Sequence, residues 1–259
     1  MTFETLRVER QGPIVRVTCA RPDVRNALNA QMIAELTAAF SALSSDESVR
    51  AVVLQGDGAS FSGGADINYM RASLDLGEKE NEADSLRLSD MFASIDRCAP
   101  PVIARVHGAA LGGGSGIIAA CDIVIAADDA LFGFTEARLG IVPAVISPFV
   151  LRKTGQSHAR ALFTTGERFD AARALRIGLV HEVVPVADLD AAVARVIESI
   201  LACGPQASRV AKTIVRTVSM MSPEEARAWT AQMNAKRRAS DEGQEGLRAF
   251  LEKRKPDWT

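Results

Sequence analysis

Two glycine-rich segments are the parts of this sequence whose residue types and spacing best fit chemistry. They are Ser62-Gly63-Gly64-Ala65-Asp66-Ile67 and Ala110-Leu111-Gly112-Gly113-Gly114, and each follows an apolar run typical of a strand. Glycine lets a backbone approach a ligand closely, and a turn that leads into a helix leaves N–H groups unpaired. Two such groups aimed at one point would form an oxyanion hole. The alternative is a pair of tight turns that bind no ligand.

Three common motifs are absent or incomplete. The sequence has no Gly-Lys pair and therefore no Walker A loop. Ser115 is followed by Gly116-Ile117, so the nucleophile motif G-x-S-x-G lacks its second glycine. Residues 114–119 match G-x-G-x-x-A, but a dinucleotide fold needs an acid about 20 residues further on, and Asp128 comes too early. These observations argue against nucleoside triphosphate, Ser-hydrolase and nicotinamide chemistry.

Composition narrows the function classes further. The chain has 259 residues, 47% of them hydrophobic, with 30 Lys+Arg against 32 Asp+Glu. Such a chain can bury a sizeable core, and its net charge of −2 argues against nucleic-acid or anionic-membrane partners. The four cysteines are scattered without a CxxC pair, which argues against a zinc site and favours a reducing compartment. No apolar run is long enough for a membrane span. We expect a soluble, cytoplasmic protein.

The elements that would position these segments alternate between strand and helix. Residues 6–10 and 14–18 predict a hairpin, and short strands are predicted at 52–54, 102–106 and 123–126. A helix with Met32, Leu36 and Phe40 on one face follows the hairpin. This alternation predicts an α/β fold.

Two other stretches have a distinct character. We expect a mobile segment at 70–84, because it is charged and lacks periodicity, and then a helix at 86–95. Beyond Leu189 the sequence is helical throughout, and Ser222-Pro223-Glu224-Glu225 is a capping signal. We therefore divide the chain into an α/β core (residues 1–195) that holds the site and a helical region (residues 196–259).

Seven pieces, in this order along the chain, resemble the crotonase (enoyl-CoA hydratase/isomerase) superfamily. They are RPDVRNALN (21–29), FSGGADI (61–67), GAALGGG (108–114), CDI (121–123), FGFTE (132–136), LGIVP (139–143) and FLEKR (250–254). The resemblance implies a spiral of ββα units with a C-terminal α-helical trimerisation region. It also implies an acyl-CoA thioester as ligand, with the N–H groups of Ala65 and Gly113 holding the thioester oxygen.

The resemblance assigns the acid–base role to Glu136, which would move a proton to or from the carbon next to the thioester. Burial in an apolar pocket would raise its pKa toward the working range. The alternative is a structural ion pair between Glu136 and Arg138.

One departure from the family pattern is the absence of a glutamate that would act together with Glu136. Hydratases of the family usually carry a first glutamate at the position that Gly116 occupies here, beside Ser115. The turn after Pro143 also departs, because it reads Ala-Val-Ile-Ser-Pro-Phe where the family is usually glycine-rich. Both departures resemble bacterial 3-methylglutaconyl-CoA and carboxygeranoyl-CoA hydratases of branched-chain and terpenoid breakdown.

The resemblance also implies how CoA is held and how the chains assemble. Arg25 would lie near the nucleotide end, and Phe250 and Lys253 would reach the CoA of a neighbouring subunit; for Lys253 a solvated helix end is an equal alternative. The remaining expected substrate-binding positions are Ala27, Gly63, Ala65, Asp66, Ile67, Gly112 and Gly113. We expect a homotrimer or a homohexamer built from two trimers, and no cofactor beyond the CoA of the substrate.

Three functions remain open from the sequence. The first is hydration of a 2-enoyl-CoA with Glu136 as acid and base. The second is a 3,2-enoyl-CoA isomerase, because a proton shuttle between two carbons needs one carboxylate only. The third is a non-catalytic acyl-CoA or RNA binder, which the net charge disfavours.

Overall fold

The first two strands form the hairpin that their alternating pattern predicts, and it becomes one edge of the larger of two sheets. In this computed structural model, which describes residues 2–259, nine strands are present within that range. They are β1 (Leu6–Gln11), β2 (Ile14–Cys19), β3 (Ala51–Gly56), β4 (Val102–Val106), β5 (Ala109–Leu111), β6 (Ile123–Ala127), β7 (Leu131–Gly133), β8 (Arg168–Asp170) and β9 (Glu182–Val184).

Ten α-helices connect and cover these strands in the described part of the chain. They are α1 (Ala30–Ser45), α2 (Ile67–Ser73), α3 (Glu78–Asp96), α4 (Gly113–Ala120), α5 (Ser147–Thr165), α6 (Ala171–Arg176), α7 (Leu189–Ala202), α8 (Pro205–Val218), α9 (Pro223–Arg238) and α10 (Asp241–Leu251). None of them is both long and apolar enough to cross a membrane.

The larger sheet has the order β1-β2-β3-β4-β6-β9, and the smaller one has the order β5-β7-β8. Apart from the antiparallel β1–β2 pair, neighbouring strands of the larger sheet are parallel. The chain passes from β4 to β5 and into α4, then from β6 to β7 and on to α5. Each of these two ββα units thus places one strand in each sheet before its helix, which confirms the expected spiral of ββα units.

Alternation along the central strands divides the core between two faces of the larger sheet. Val52 and Leu54 of β3 pack on one face with α1 and α3, whereas Val53 packs on the other with Leu189 and Val193 of α7. Strands that are buried on both faces are expected of a parallel sheet covered by helices.

The stretch at 70–84, which lacks helical periodicity and was expected to be mobile, is mostly helical. It contains the end of α2 and the start of α3, joined by residues 74–77. Asp66 caps α2 by accepting hydrogen bonds from the N–H groups of Asn68 and Tyr69, and the Tyr69 hydroxyl donates to Asp84 of α3. The local cap and the contact between α2 and α3 both stabilise helices that periodicity alone does not reveal.

Helices α7 to α10 confirm the helical C-terminal region, and Ser222 and Glu225 form the predicted capping box. The expected boundary at residue 195 falls inside α7, whose apolar face belongs to the core of the sheet. Helix α8 is joined to the core by Arg209, which donates to the carbonyls of Asp46 and Val49 at 2.7 Å.

Candidate active site

The two glycine-rich turns lie side by side. The Ser62 N–H donates to the Ala109 carbonyl at 2.9 Å, and the Leu111 N–H donates to the Ser62 carbonyl at 3.0 Å. A Cβ on Gly64 would lie 2.9 Å from the Leu111 carbonyl oxygen, so only glycine permits this approach. The turns that the sequence places about 50 residues apart therefore form one structural unit.

Each turn presents one backbone N–H without an acceptor. Within residues 2–259, neither the Ala65 N–H nor the Gly113 N–H donates a hydrogen bond. Gly113 is the first residue of α4, where the helix itself offers no acceptor. The preceding Gly112 has φ +49° and ψ −119°, a conformation that disfavours residues with a Cβ. This geometry leaves two donors at the edge of neighbouring turns.

Glu136 faces the second of these turns. It follows β7 and the buried Phe134, and a Cβ on Gly112 would lie 3.4 Å from Glu136 Oε1. Its Oε2 is buried and accepts no hydrogen bond from any described residue. Burial raises the pKa of the Glu136 carboxyl above its ordinary value. Such a group can exchange protons closer to neutral pH than an exposed glutamate can.

The alternative ion pair between Glu136 and Arg138 does not form in the described chain. Arg138 packs its side chain near Gly166 instead, where a Cβ would lie 2.9 Å from Arg138 Cγ. The Glu136 main chain is held by a hydrogen bond from the Ile141 N–H to its carbonyl, at 3.3 Å. The backbone of the turn, and not a side-chain partner, thus positions this carboxylate.

Gly116 is enclosed by apolar side chains. A Cβ at this position would lie 2.3 Å from Ile146 Cγ2 and 3.0 Å from Phe92 Cε1. Ile146 is itself buried, immediately before α5. A glutamate at position 116 therefore could not be accommodated unless Ile146 moved. The sequence shows the departures at Gly116 and in the turn after Pro143, but only the structure shows that Gly116 and Ile146 of that turn are neighbours.

Ser115 and Ser62 hold the backbone of the turns. The Ser115 hydroxyl donates to the Ala110 carbonyl at 2.6 Å and accepts from the Gly133 N–H at 3.4 Å. The Ser62 hydroxyl donates to the Asn26 carbonyl at 2.9 Å. Both serines are fully buried.

A third turn, at residues 21–29, packs against the first glycine-rich turn. The Gly63 N–H donates to the Arg25 carbonyl at 2.7 Å, and the Leu28 N–H donates to the Gly64 carbonyl at 2.7 Å. The Arg25 side chain is exposed, whereas Ala27 is buried. The structure therefore brings Arg25, Ala27 and Gly63 together in one place.

Two polar residues that organise this third turn were missed at the sequence level. Asn26 is buried with φ +53°, and its amide donates to the carbonyls of Asp57 and Ser60 at 2.8 Å. Arg21 donates to the Asp66 carboxylate at 2.8 Å. Burial alone would raise the pKa of the Asp66 carboxyl. The hydrogen bonds that it accepts from Arg21, Asn68 and Tyr69 outweigh this effect, so the pKa of Asp66 lies below its ordinary value. One local signal could have identified Asn26, because asparagine tolerates the left-handed backbone region better than most residues and is therefore common in turns.

The remaining expected binding residues are exposed. Ile67 begins α2 with its side chain 70% exposed, and Phe250 near the end of α10 is 80% exposed. Lys253 follows that helix with φ +55°. Within residues 2–259 no hydrogen bond or ion pair links Phe250 or Lys253 to the glycine-rich turns.

The side chains of His107 and His181 bond to backbone groups outside the two glycine-rich turns. His107 bonds the Gly58 carbonyl through Nε2 at 2.8 Å, and His181 accepts from the Val124 N–H at 2.9 Å. Among the described residues, no group of three or more His, Cys, Asp or Glu side chains could hold a metal ion.

Comparison with known proteins links this geometry to one family. A family model described as enoyl-CoA hydratase/isomerase matches residues 9–259. The chain is 34% identical to the 2,3-dehydroadipyl-CoA hydratase of Escherichia coli, over 98% of both chains. Among solved structures it resembles Pseudomonas aeruginosa AtuE (37% identity, TM-score 0.96, 98% of this chain and 99% of that one). It also resembles an enoyl-CoA hydratase of Shewanella pealeana (36% identity, TM-score 0.95, 99% and 96%).

Proposed function

The chain belongs to the enoyl-CoA hydratase/isomerase family, and from that premise we propose that it adds water across the 2,3-double bond of an enoyl-CoA. The observation that carries the proposal is the Glu136 carboxylate. It is partly buried, its Oε2 has no partner among the described residues, and it faces the Gly112-Gly113 turn. A desolvated carboxyl beside unpaired N–H groups is suited to moving a proton next to a developing oxyanion.

The two free N–H groups supply the oxyanion hole in this proposal. The thioester oxygen accepts hydrogen bonds from the N–H groups of Ala65 and Gly113, which have no other acceptor in the described chain. Negative charge builds on that oxygen when the substrate becomes an enolate. One well-aimed donor contributes about 10²–10³-fold in rate.

A single acid–base residue can complete the hydration. The ionised Glu136 takes a proton from water as the water oxygen bonds to C3, and the electron pair of the double bond moves toward the thioester oxygen. Glu136 then delivers the proton to C2 as the enolate collapses. This route requires no second carboxylate, in keeping with the apolar enclosure of Gly116.

For the acyl group we propose a branched or carboxylated chain such as 3-methylglutaconyl. Without a first glutamate, a polar group on the substrate itself can help to place the attacking water. The relative in Escherichia coli is named for 2,3-dehydroadipyl-CoA, whose acyl chain ends in a carboxylate. This name and the departures at Gly116 and Ile146 support the proposal.

CoA binding completes the proposed site. Arg25 is exposed beside the Gly63 turn, where a guanidinium can pair with phosphate oxygens. The backbone of Asp66 and Ile67 borders the adenine end, and Ala27 is a further CoA-binding position. Phe250 and Lys253 act on the CoA of a neighbouring chain, in a homotrimer or homohexamer.

A 3,2-enoyl-CoA isomerase is the second candidate, and the enclosure of Gly116 is the observation that favours it. One carboxylate suffices to take a proton from C2 and return it to C4, so that the 3,4-double bond becomes a 2,3-double bond. Hydration adds the mass of one water, whereas isomerisation leaves the mass unchanged.

The test is mass spectrometry of the products from crotonyl-CoA, 3-methylglutaconyl-CoA and a 3-enoyl-CoA. We expect one 2-enoyl substrate to gain a water. Glu136→Gln should lower that rate by about 10²–10⁴-fold, since the amide cannot exchange the proton. Glu47→Gln is the matched control, because Glu47 is exposed and forms no ion pair in the described chain.

Three results would change the proposal. A shifted double bond at constant mass would identify an isomerase. Retention of more than about a tenth of the wild-type rate by Glu136→Gln would exclude the acid–base role. Binding of CoA thioesters without turnover of any of them would identify a binding protein.

A further inference from the structure

A cavity lies between α8 and the core, and none of the residues that line it belongs to the candidate active site. Its volume is about 470 Å³. The end of α4, the first half of α5 and one face of α8 form its walls, and His181 lies at its edge. We call it the α8 cavity.

The charged groups of the α8 cavity do not cancel. Four cationic and two anionic side chains line it: Arg152, Lys153, Lys212, Arg216, Asp96 and Asp122. Both carboxylates are already engaged. Asp96 pairs with Arg152 at 2.7 Å, and Asp122 pairs with Lys212 at 2.6 Å while it also accepts from the Val102 N–H at 2.7 Å.

The two remaining cations form no direct ion pair in the described chain. Lys153 and Arg216 form no ion pair and no side-chain hydrogen bond within residues 2–259. Burial lowers the pKa of the Lys153 ammonium below its ordinary value. Desolvation and the charge of Lys153 together lower the pKa of His181 to about 4, so that this histidine is neutral at physiological pH.

We propose that the α8 cavity binds a phosphate dianion. Its lining has two more cationic than anionic side chains, which matches the two negative charges of that ion. Arg216 offers the planar donor fork that suits phosphate oxygens, and Lys153 offers a compact point charge. An anion held there would contact both α5 and α8, and would thereby fasten the C-terminal helices to the core.

The binding is measured by calorimetric titration of the full chain with inorganic phosphate at about pH 8, where the dianion predominates. We expect saturable binding of one ion per chain. Lys153→Met and Arg216→Met should each weaken it by at least about tenfold. Lys236→Met is the matched control, since Lys236 is exposed on α9 and should leave the binding unchanged.

A melting experiment, one further variant and one further ligand make the outcome decisive. Lys153→Met keeps the apolar stem and removes a desolvated charge, so its melting temperature in chloride buffer should equal or exceed that of the wild type. Arg25→Met separates the α8 cavity from the proposed CoA site and should leave phosphate binding intact. Glycerol 3-phosphate tests whether the site takes a phosphate carried on carbon; binding of either ligand that depends on Lys153 supports the proposal.

The proposal would be overturned by any of three results. The first is the absence of saturable phosphate binding. The second is an affinity that Lys153→Met and Arg216→Met leave unchanged. The third is binding that Arg25→Met abolishes while Lys153→Met does not, since the ion would then occupy the other site.

Discussion

Glu136 combines two properties that a structural carboxylate rarely has together. Its Oε2 is buried without a hydrogen-bond donor among the described residues, and its pKa is raised because burial disfavours the ionised form. Buried polar groups are normally satisfied, and an unsatisfied one lowers the stability of the folded state. This side chain therefore destabilises the fold in its ionised form, as groups at functional sites often do.

The raised pKa of Glu136 predicts a pH-dependent effect of Glu136→Gln on stability. The folded state binds the proton more tightly than the unfolded state, so the wild type loses stability as pH rises through the raised pKa. Glutamine is never ionised. We therefore expect the variant to melt at a higher temperature than the wild type at about pH 8, and the difference to shrink toward about pH 5.

Calorimetric melting curves of both proteins at the two pH values test this expectation. Glu47→Gln should show no such trend, because Glu47 is exposed. A variant that is less stable than the wild type at the higher pH would contradict the assigned environment of Glu136.

At the scale of elements, the packing of α4 against the start of α5 explains why two sequence departures occur together. Gly116 of α4 has no side chain, and Ile146 fills the space beside it. Phe92 of α3 closes the same space, and it packs on Phe149 of α5 with ring centroids 5.8 Å apart. Three helices thus form an apolar wall where a second carboxylate would otherwise stand.

Gly116→Ala tests this packing. In a helix interior, alanine is favoured over glycine by about 0.5–1 kcal/mol, but overpacking destabilises a core by about 1–3 kcal/mol. Because the new Cβ would lie 2.3 Å from Ile146 Cγ2, we expect overpacking to dominate and the free energy of unfolding to fall by about 1–2 kcal/mol.

A double-mutant cycle measured by urea unfolding isolates the contact. Adding Gly116→Ala to Ile146→Ala should cost less than adding it to the wild type, with a coupling of about 0.5–3 kcal/mol. Additive effects of the two substitutions would show that Ile146 does not restrict position 116.

For the whole molecule, the C-terminal helices leave large apolar side chains uncovered. Phe250 and Leu251 of α10 are 80% and 77% exposed, and Met220 after α8 is 76% exposed. The same region is nevertheless joined to the core through Arg209 and through the Lys212–Asp122 pair. Apolar side chains on a fixed scaffold are typical of a surface that another chain covers.

We therefore expect light scattering after gel filtration to give three or six times the mass of the chain. Burying one phenylalanine at an interface contributes about 1.5–3 kcal/mol. Phe250→Glu should accordingly shift the protein toward the monomer, because it removes this burial and places a charge there. Val186→Glu is the control at an exposed position outside the C-terminal helices. A monomeric wild type, or an assembly that Phe250→Glu leaves intact, would contradict this expectation.

Local patterns were sufficient for much of the architecture. The hairpin, the strands β3, β4 and β6, and the capping box of α9 follow from alternation, apolar runs and cap residues. Periodicity was not sufficient at residues 70–84. The Asp66 cap of α2 is a local signal that periodicity does not detect, and the contact between Tyr69 and Asp84 joins residues of two different helices.

By itself, the sequence determined the fold class and the two glycine-rich turns, since turn geometry and strand–helix alternation depend on residues close together in the chain. Glu136 was singled out by the family resemblance, and its catalytic role stays a prediction. Only the tertiary structure decided that the two turns lie side by side, that Glu136 is partly buried without a partner, and that Ile146 occupies the space beside Gly116. These features depend on distances between residues far apart in sequence. Such distances follow from the packing of the whole core, and no local pattern encodes them.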